Sequence, residues 1–132
     1  MTSIFTKIIQ RALPAHIVAE DEHHIAFLDI RPITLGHTLV VPKQATDVFF
    51  ELEDAALSSL MLFAKKVAKA LQQTIPCLRV GVAVVGLEVP HAHLHLVPLN
   101  GPHDIDFKAT KLTLPEEALQ KTATQIRAAV VL

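Results

Sequence analysis

Residues 90–98 read PHAHLHLVP, and imidazole and apolar side chains alternate along this stretch. Successive side chains of a β-strand point to opposite faces, so we expect His91, His93 and His95 on one face and the apolar residues between them on the other. A helix would scatter the same residues around its axis. The segment therefore predicts a strand with one apolar face and one imidazole face. Neighbouring histidines would lie about 6.6 Å apart along the strand, too far for simple direct contact but suited to flanking one bound group.

The hydrophobic pattern of the whole chain predicts an α+β domain. Strand-like segments cover residues 16–19, 25–30, 37–41, 80–85 and the histidine segment, and turn signals such as Gly36 separate them. Residues 53–73 change to a spacing of three and four, which indicates one long helix. Its expected inner face consists of Leu57, Leu60, Met61, Ala64, Val67, Ala68 and Leu71. Thr113 and Glu116 have the spacing of a capping box, which predicts the start of a C-terminal helix. We expect a single domain over residues 1–132.

Charge and composition exclude several classes of function. The 132 residues carry 12 Lys and Arg against 13 Asp and Glu, and Trp and Tyr are absent, so neither a basic nor a base-stacking nucleic-acid surface is expected. No apolar run approaches the roughly 20 residues that span a bilayer, and no signal pattern opens the chain, so no membrane partner is expected. The single cysteine, Cys77, fits the cytoplasm, which is the predicted location.

Three roles are possible for three alternating imidazole side chains. The first is structural, with exposed histidines satisfied by water. The second is a zinc site, with a pair of strand histidines and a further ligand from His95 or His37. The third is group transfer at phosphorus, because neutral imidazole has a pKa near 6.5 and offers an unprotonated nitrogen as nucleophile at pH 7. The spacing alone leaves these open.

The order of several motifs resembles that of the histidine triad (HIT) family. His91 to Val97 match its defining pattern of three alternating histidines followed by two apolar residues. The segments at residues 4–9, 13–15, 26–30 and 36–43 resemble family motifs in the same order. The resemblance covers Ile4 to about Pro98 and does not extend to the C-terminal third.

The resemblance implies a HIT-like fold, with about five antiparallel strands, one long helix and a C-terminal helix, and a homodimer with a continuous sheet. It also implies cleavage at the α-phosphate of a purine nucleotide conjugate, either a phosphoramidate or a dinucleoside polyphosphate, through a nucleotidyl-histidine intermediate. A nucleotide-binding regulator with little turnover and a zinc-dependent hydrolase are the alternatives.

The family's functional residues transfer to matching positions of this chain. His93 would be the nucleophile, His95 would face the leaving group, His91 would orient His93 through its backbone carbonyl, and His37 would be an accessory histidine. Asp29 would accept hydrogen bonds from the ribose hydroxyls. The apolar residues expected to line the base pocket are Ile4, Phe5, Ile8, Phe27, Ile30 and Leu39. His16, His23, His24 and His103 lie outside the pattern and are expected at the surface or in loops.

This chain departs from the family before the triad and at the N-terminus. Residues 80–89 lack the Ser, Gln or Asn that many members use as phosphate donors, and Glu88 stands where a hydroxyl is expected. The backbone N–H groups of Glu88 and Val89 are the remaining donors. Ser3 and Thr6 occupy places where some relatives carry paired zinc-binding cysteines, so no metal site is expected. The reaction would require no cofactor, although magnesium can accompany a polyphosphate substrate.

Overall fold

The protein consists of two groups of consecutive strands separated by a long helix, and its computed structural model describes residues 2–132. In chain order the elements are α1 (Ile4–Ile9), β1 (Ile17–Glu20), β2 (His24–Leu28), β3 (Thr38–Pro42), α2 (Asp54–Thr74), β4 (Arg79–Ala83), β5 (Leu94–Leu99) and α3 (Glu116–Ala129). One turn of 3-10 helix, Phe49–Glu51, precedes α2. None of the described helices is long and apolar enough to span a bilayer.

The five strands form one antiparallel sheet in the order β1-β2-β3-β5-β4. The predicted α+β class, with a five-stranded antiparallel sheet, one long helix and a C-terminal helix, is confirmed. Gly36 turns the chain into β3 with φ +90°, and a Cβ there would lie 2.9 Å from the Ile75 side chain. Glycine is needed at this turn for both its backbone conformation and its small size.

The histidine segment enters the sheet later than the sequence predicts. β5 begins at Leu94, so His91 and His93 lie in the extended chain that leads into the strand. This chain is held from the side, because the Ala92 N–H donates to the Thr46 carbonyl over 2.6 Å. The alternation nevertheless holds, since the apolar residues between the histidines pack into the core.

The start of α3 corrects the predicted capping box. The helix begins at Glu116 with Pro115 as its N-cap residue, and no side chain caps it. A proline disfavours helical backbone in the residue before it, which agrees with the position of Leu114 outside the helix. Thr113 is therefore too far upstream to act as the cap.

Each face of the sheet packs against different helices. Residues of β2, β3 and β5, among them Ala26, Val40 and Leu94, pack with α2 and α3 in the main core. The opposite face forms a smaller cluster with α1, whose buried members are Phe5, Ile8, Ile25, Phe27, Leu39 and Val41. This second face is only partly covered, which leaves room for a pocket.

Two predictions of burial are wrong. His24, expected at the surface, is buried: it stacks on Phe63, and its two ring nitrogens hydrogen-bond Asp21 over 2.9 Å and Ser59 over 3.1 Å. Its place in β2 turns it toward α2, where these partners satisfy the imidazole. Met61, expected on the inner face of α2, is exposed, because the helix packs through Phe63 instead.

Candidate active site

A pocket of about 680 Å³ opens beside α1, over the sheet face that the main core does not use. It brings together twelve of the thirteen predicted site residues, namely Ile4, Phe5, Ile8, Phe27, Asp29, Ile30, His37, Leu39, Glu88, Val89, His93 and His95. The remaining one, His91, lies behind the pocket wall with 1% of its surface exposed. Ile4 and Ile30 line the pocket but are largely exposed to solvent.

The protonation of His93 follows from its hydrogen bond. Its Nδ1 lies 2.7 Å from the backbone carbonyl of His91. A carbonyl only accepts, so Nδ1 carries the proton and Nε2 of the neutral ring keeps its lone pair. The edge-to-face contact with Phe5, with ring centroids 4.9 Å apart, fixes the ring in the pocket wall.

His91 is a structural anchor with both ring nitrogens engaged. Its Nε2 donates to the Pro42 carbonyl over 2.8 Å, so its Nδ1 is an acceptor. The Ser3 hydroxyl donates to that Nδ1 over 2.9 Å. The ring is thus tied to β3 and α1, and its backbone carbonyl is held in place for His93.

His37 and His95 form a chain of directed hydrogen bonds. The Ile33 N–H donates to His37 Nδ1 over 3.0 Å, so neutral His37 carries its proton on Nε2. This Nε2 donates to His95 Nδ1, also over 3.0 Å, and the proton of neutral His95 must then lie on Nε2. His93 and His95 therefore hold opposite tautomers, with a lone pair on one Nε2 and a proton on the other. Their rings meet edge to face with centroids 5.1 Å apart, closer than the strand spacing suggested.

Burial keeps these histidines neutral. It lowers the pKa of His37 to about 4, and the nearby Lys111 ammonium acts in the same direction. It lowers the pKa of His95 to about 3, with smaller effects from His37, His93 and Lys111. Burial also lowers the pKa of His93, although its bond to the His91 carbonyl and the Glu88 charge oppose the shift.

Asp29 lies just beyond the end of β2, at the pocket. Its Oδ1 accepts from the Arg31 N–H over 2.9 Å, and its Oδ2 lies 3.8 Å from His37 Nε2. Burial raises the pKa of this carboxyl. One oxygen is thus held by the backbone, and the other retains capacity to accept from a ligand's hydroxyl groups.

The C-terminal segment contributes pocket residues that the sequence analysis missed. Phe107, Lys108 and Lys111 follow β5 and line the pocket beside His95. The Phe107 ring contacts the His95 ring with centroids 4.8 Å apart. The sequence shows a phenylalanine and two lysines close together in this segment, a composition that can bind a ligand. No local sequence pattern, however, indicated that the segment folds back over the sheet.

Comparison with known proteins identifies the family of this chain. The family model described as the HIT domain matches residues 10–101. The chain belongs to the HIT family. An uncharacterised HIT-like protein of Borreliella burgdorferi is 34% identical over 93% of this chain and 94% of the relative. The adenosine 5′-monophosphoramidase of Saccharomyces cerevisiae is 36% identical over 72% of this chain and 61% of the yeast protein.

Solved structures of HIT proteins share the fold. A HIT-like protein of Bartonella henselae superposes with a TM-score of 0.83 and 30% identity, covering 97% of this chain and 96% of that chain. A zinc-bound histidine triad protein of Mycobacterium smegmatis has a TM-score of 0.83 and 27% identity, covering 98% and 93% of the two chains.

One group of side chains in this HIT protein has the composition of a metal site. Atoms of Asp29, His37 and His95 lie within 4.8 Å of one another. The hydrogen bonds oppose such a use, because His37 Nδ1 already accepts from a backbone N–H. Coordination through Nε2 would then remove the only ring proton and leave an imidazolate. Ser3 and Thr6, near His91, offer neutral hydroxyls, which are weaker zinc ligands than thiolates.

Proposed function

We propose that this HIT protein is a nucleotide hydrolase or transferase that cleaves purine nucleotide conjugates at the α-phosphate, with His93 as the nucleophile. The observation that carries the proposal is the hydrogen bond from His93 Nδ1 to the His91 carbonyl. It leaves an unprotonated Nε2 in the wall of a pocket large enough for a nucleotide.

The reaction proceeds in two displacements. The lone pair of His93 Nε2 attacks the α-phosphorus, a P–N bond forms, and the bond to the leaving group breaks with its electron pair on the leaving atom. Water then attacks the same phosphorus, the P–N bond breaks, and the electron pair returns to Nε2. The products are a nucleoside monophosphate and the leaving group, and the proton of the water passes to solvent or product.

The surrounding residues bind and orient the substrate. Asp29 accepts from the ribose hydroxyls, and the apolar wall that contains Phe5, Phe27 and Leu39 holds the base. His95 donates from Nε2 to the leaving group, and His37 keeps it in the required tautomer. His91 positions the nucleophile without touching the substrate. The backbone N–H groups of Glu88 and Val89 bind phosphate oxygens at the pocket edge.

Relatives support this proposal at the level of the reaction class, since the yeast relative bears the name adenosine 5′-monophosphoramidase. The reaction is proposed to need no metal cofactor, because the nucleophile is an imidazole and the tautomers oppose a site at Asp29, His37 and His95. Full activity after chelator treatment, together with no stoichiometric zinc in untagged protein, is the expected result. Loss of activity with chelator would favour the zinc hydrolase.

We also propose that the active form is a homodimer. β4 is a free edge of the sheet, and its Val82 is 52% exposed. An edge strand with exposed apolar side chains can pair with a second copy and extend the sheet. Cytoplasmic location stays a prediction.

A His93→Ala variant tests the catalytic proposal. We expect it to retain AMP binding but to lose turnover of adenosine 5′-phosphoramidate and of diadenosine triphosphate by at least about a thousandfold, as for other activated nucleophiles. Mass spectrometry of quenched wild-type enzyme should detect an adenylate on His93.

The matched control is His23→Ala, an exposed histidine outside the pocket, which should behave as wild type. Nucleotide binding without any turnover that depends on His93 would instead identify a regulatory binding protein.

A further inference from the structure

An aspartate, a histidine and a serine are connected by hydrogen bonds on the face of the sheet that packs against α2. Asp21 Oδ1 lies 2.9 Å from His24 Nδ1, and His24 Nε2 lies 3.1 Å from Ser59 Oγ. His24 shares its face of β2 with Ala26, which belongs to the main core, whereas the pocket of the candidate active site opens over the other face. The three residues therefore form a group separate from that site.

The directions of these hydrogen bonds follow from the acceptor groups. A carboxylate only accepts, so His24 Nδ1 carries the proton of the neutral ring and Nε2 keeps a lone pair. The Ser59 hydroxyl must then donate to this Nε2. A carboxylate, an imidazole and a hydroxyl in this order, with the imidazole as a base toward the hydroxyl, form the arrangement that activates serine as a nucleophile on unrelated folds.

Neighbouring groups hold the carboxylate and the imidazole in place. Asp21 Oδ1 also accepts from the backbone N–H groups of His23 and His24, over 2.9 and 2.8 Å. Burial opposes the ionisation of Asp21, but the hydrogen bonds from the His24 ring and from the backbone outweigh it and lower the pKa of the carboxyl. Phe63 stacks on the imidazole with ring centroids 4.9 Å apart. The base is thus oriented toward the serine without a ligand.

The Ser59 hydroxyl differs from other hydroxyls in the helices. Thr74 and Thr124 donate to the carbonyl four residues earlier in their own helices, over 2.8 and 2.9 Å. Ser59 lies on α2 but donates across to β2. Ser59 is partly exposed and Asp21 is exposed, so the group borders solvent.

We propose that Ser59 is a nucleophile that small activated esters acylate, with His24 as its base and Asp21 as a positioning residue. The Ser59 hydroxyl proton passes to His24 Nε2, and an oxygen lone pair forms a bond to the carbonyl carbon of the ester. The bond to the leaving oxygen then breaks with its electron pair, and that oxygen takes the proton from His24. The products are an acylated Ser59 and an alcohol or phenol. This step is independent of the proposed function.

Acetylation by p-nitrophenyl acetate tests the proposal, with the adjacent Ser58 as an internal control on the exposed face of α2. Mass spectrometry of peptides from protein quenched at early times should find Ser59 acetylated at least about a hundredfold faster than Ser58, the usual size of general base catalysis. This comparison uses the wild-type protein and needs no variant. Labelling of Ser59 at the rate of Ser58, or more slowly, would overturn the proposal.

Variants of the other two residues test their roles. His24→Gln should lower the ratio of Ser59 to Ser58 labelling by about a hundredfold, and Asp21→Asn should lower it by at least about tenfold. The ratio separates activation from a loosened structure, because loosening of α2 would expose both serines. His23→Ala keeps the backbone N–H that binds Asp21 and should leave the ratio unchanged. A ratio that neither His24→Gln nor Asp21→Asn changes would make the group purely structural and would overturn the assignment.

Discussion

Individual hydrogen bonds decide what each imidazole of this site can do. The three histidines of one motif hold two tautomers, because the partners of their Nδ1 atoms differ. The Nδ1 of His93 donates to a carbonyl, whereas the Nδ1 of His91 accepts from a hydroxyl and that of His95 accepts from another imidazole. The residue type supplies a group that titrates near neutrality, and the partner selects which nitrogen is free. The functional assignment therefore depends on the partner as much as on the histidine.

The decrease in rate at acidic pH should follow the protonation of His93. Because burial lowers the pKa of its imidazole, nucleotidyl transfer in a single turnover should persist below pH 6.5 and fall as Nε2 becomes protonated at lower pH. Glu88→Gln removes a negative charge that favours the imidazolium, so its acid limb should move to lower pH. A rate that stays flat well below pH 5 with substrate bound, or a limb that moves upward in Glu88→Gln, would contradict the assignment.

At the level of elements, α1 and its N-cap residue contact two histidines of the triad motif, His91 and His93. Ser3 caps this helix by accepting from the Thr6 N–H over 3.1 Å, and the same hydroxyl donates to His91 Nδ1. Phe5, in the first turn of the helix, packs on His93 and Phe27. A helix of six residues is too short to be stable alone, so these contacts hold it on the sheet.

Replacing Ser3 with Ala should lower the free energy of unfolding by about 1–2 kcal/mol. The helix loses its cap, and the buried His91 nitrogen keeps only a weaker contact with Thr6 at 3.4 Å. Urea unfolding measures the change, with Ser58→Ala on the exposed face of α2 as the control. A variant as stable as wild type would show that the hydroxyl contributes no net stability.

For the whole molecule, the two ends of the sheet differ. β1 is covered in part by α3, whose Arg127 donates to the Ile17 carbonyl over 2.8 Å. β4 has its neighbour β5 on one side only, and Val82 on it and Leu87 beyond it are strongly exposed. An exposed apolar edge of this kind favours self-association. The proposed dimer would pair the two β4 strands.

Light scattering after size-exclusion chromatography tests the assembly. Wild-type protein should have the mass of two chains. The Val82→Lys variant should have the mass of one chain, because a charge at the paired edge is costly to bury. Leu132→Lys changes an exposed apolar residue near β1 and should remain dimeric. A wild-type monomer at all concentrations, or a dimer that tolerates Val82→Lys, would exclude this interface.

The sequence by itself determined the fold class, the faces of the strands and the candidate nucleophile. Each of these follows from residues that are neighbours in the chain: alternation separates His93 from Leu94, and the three-to-four spacing marks α2. Strand bounds were correct within a few residues, and the predicted pocket residues share one cavity. The capping box was wrong because Pro115 controls the local backbone.

Only the tertiary structure decided how the site is completed. The tautomers depend on bonds such as that between His37 and His95, which are 58 positions apart in the chain. The burial of His24 and the return of Lys111 to the pocket likewise depend on packing between distant elements. The periodicity of the sequence indicates on which side of a strand or helix a side chain lies. It carries no information about which residue from a distant part of the chain will contact that side chain. For this reason the candidate nucleophile was readable from the sequence, whereas the tautomers of the histidines around it required the fold.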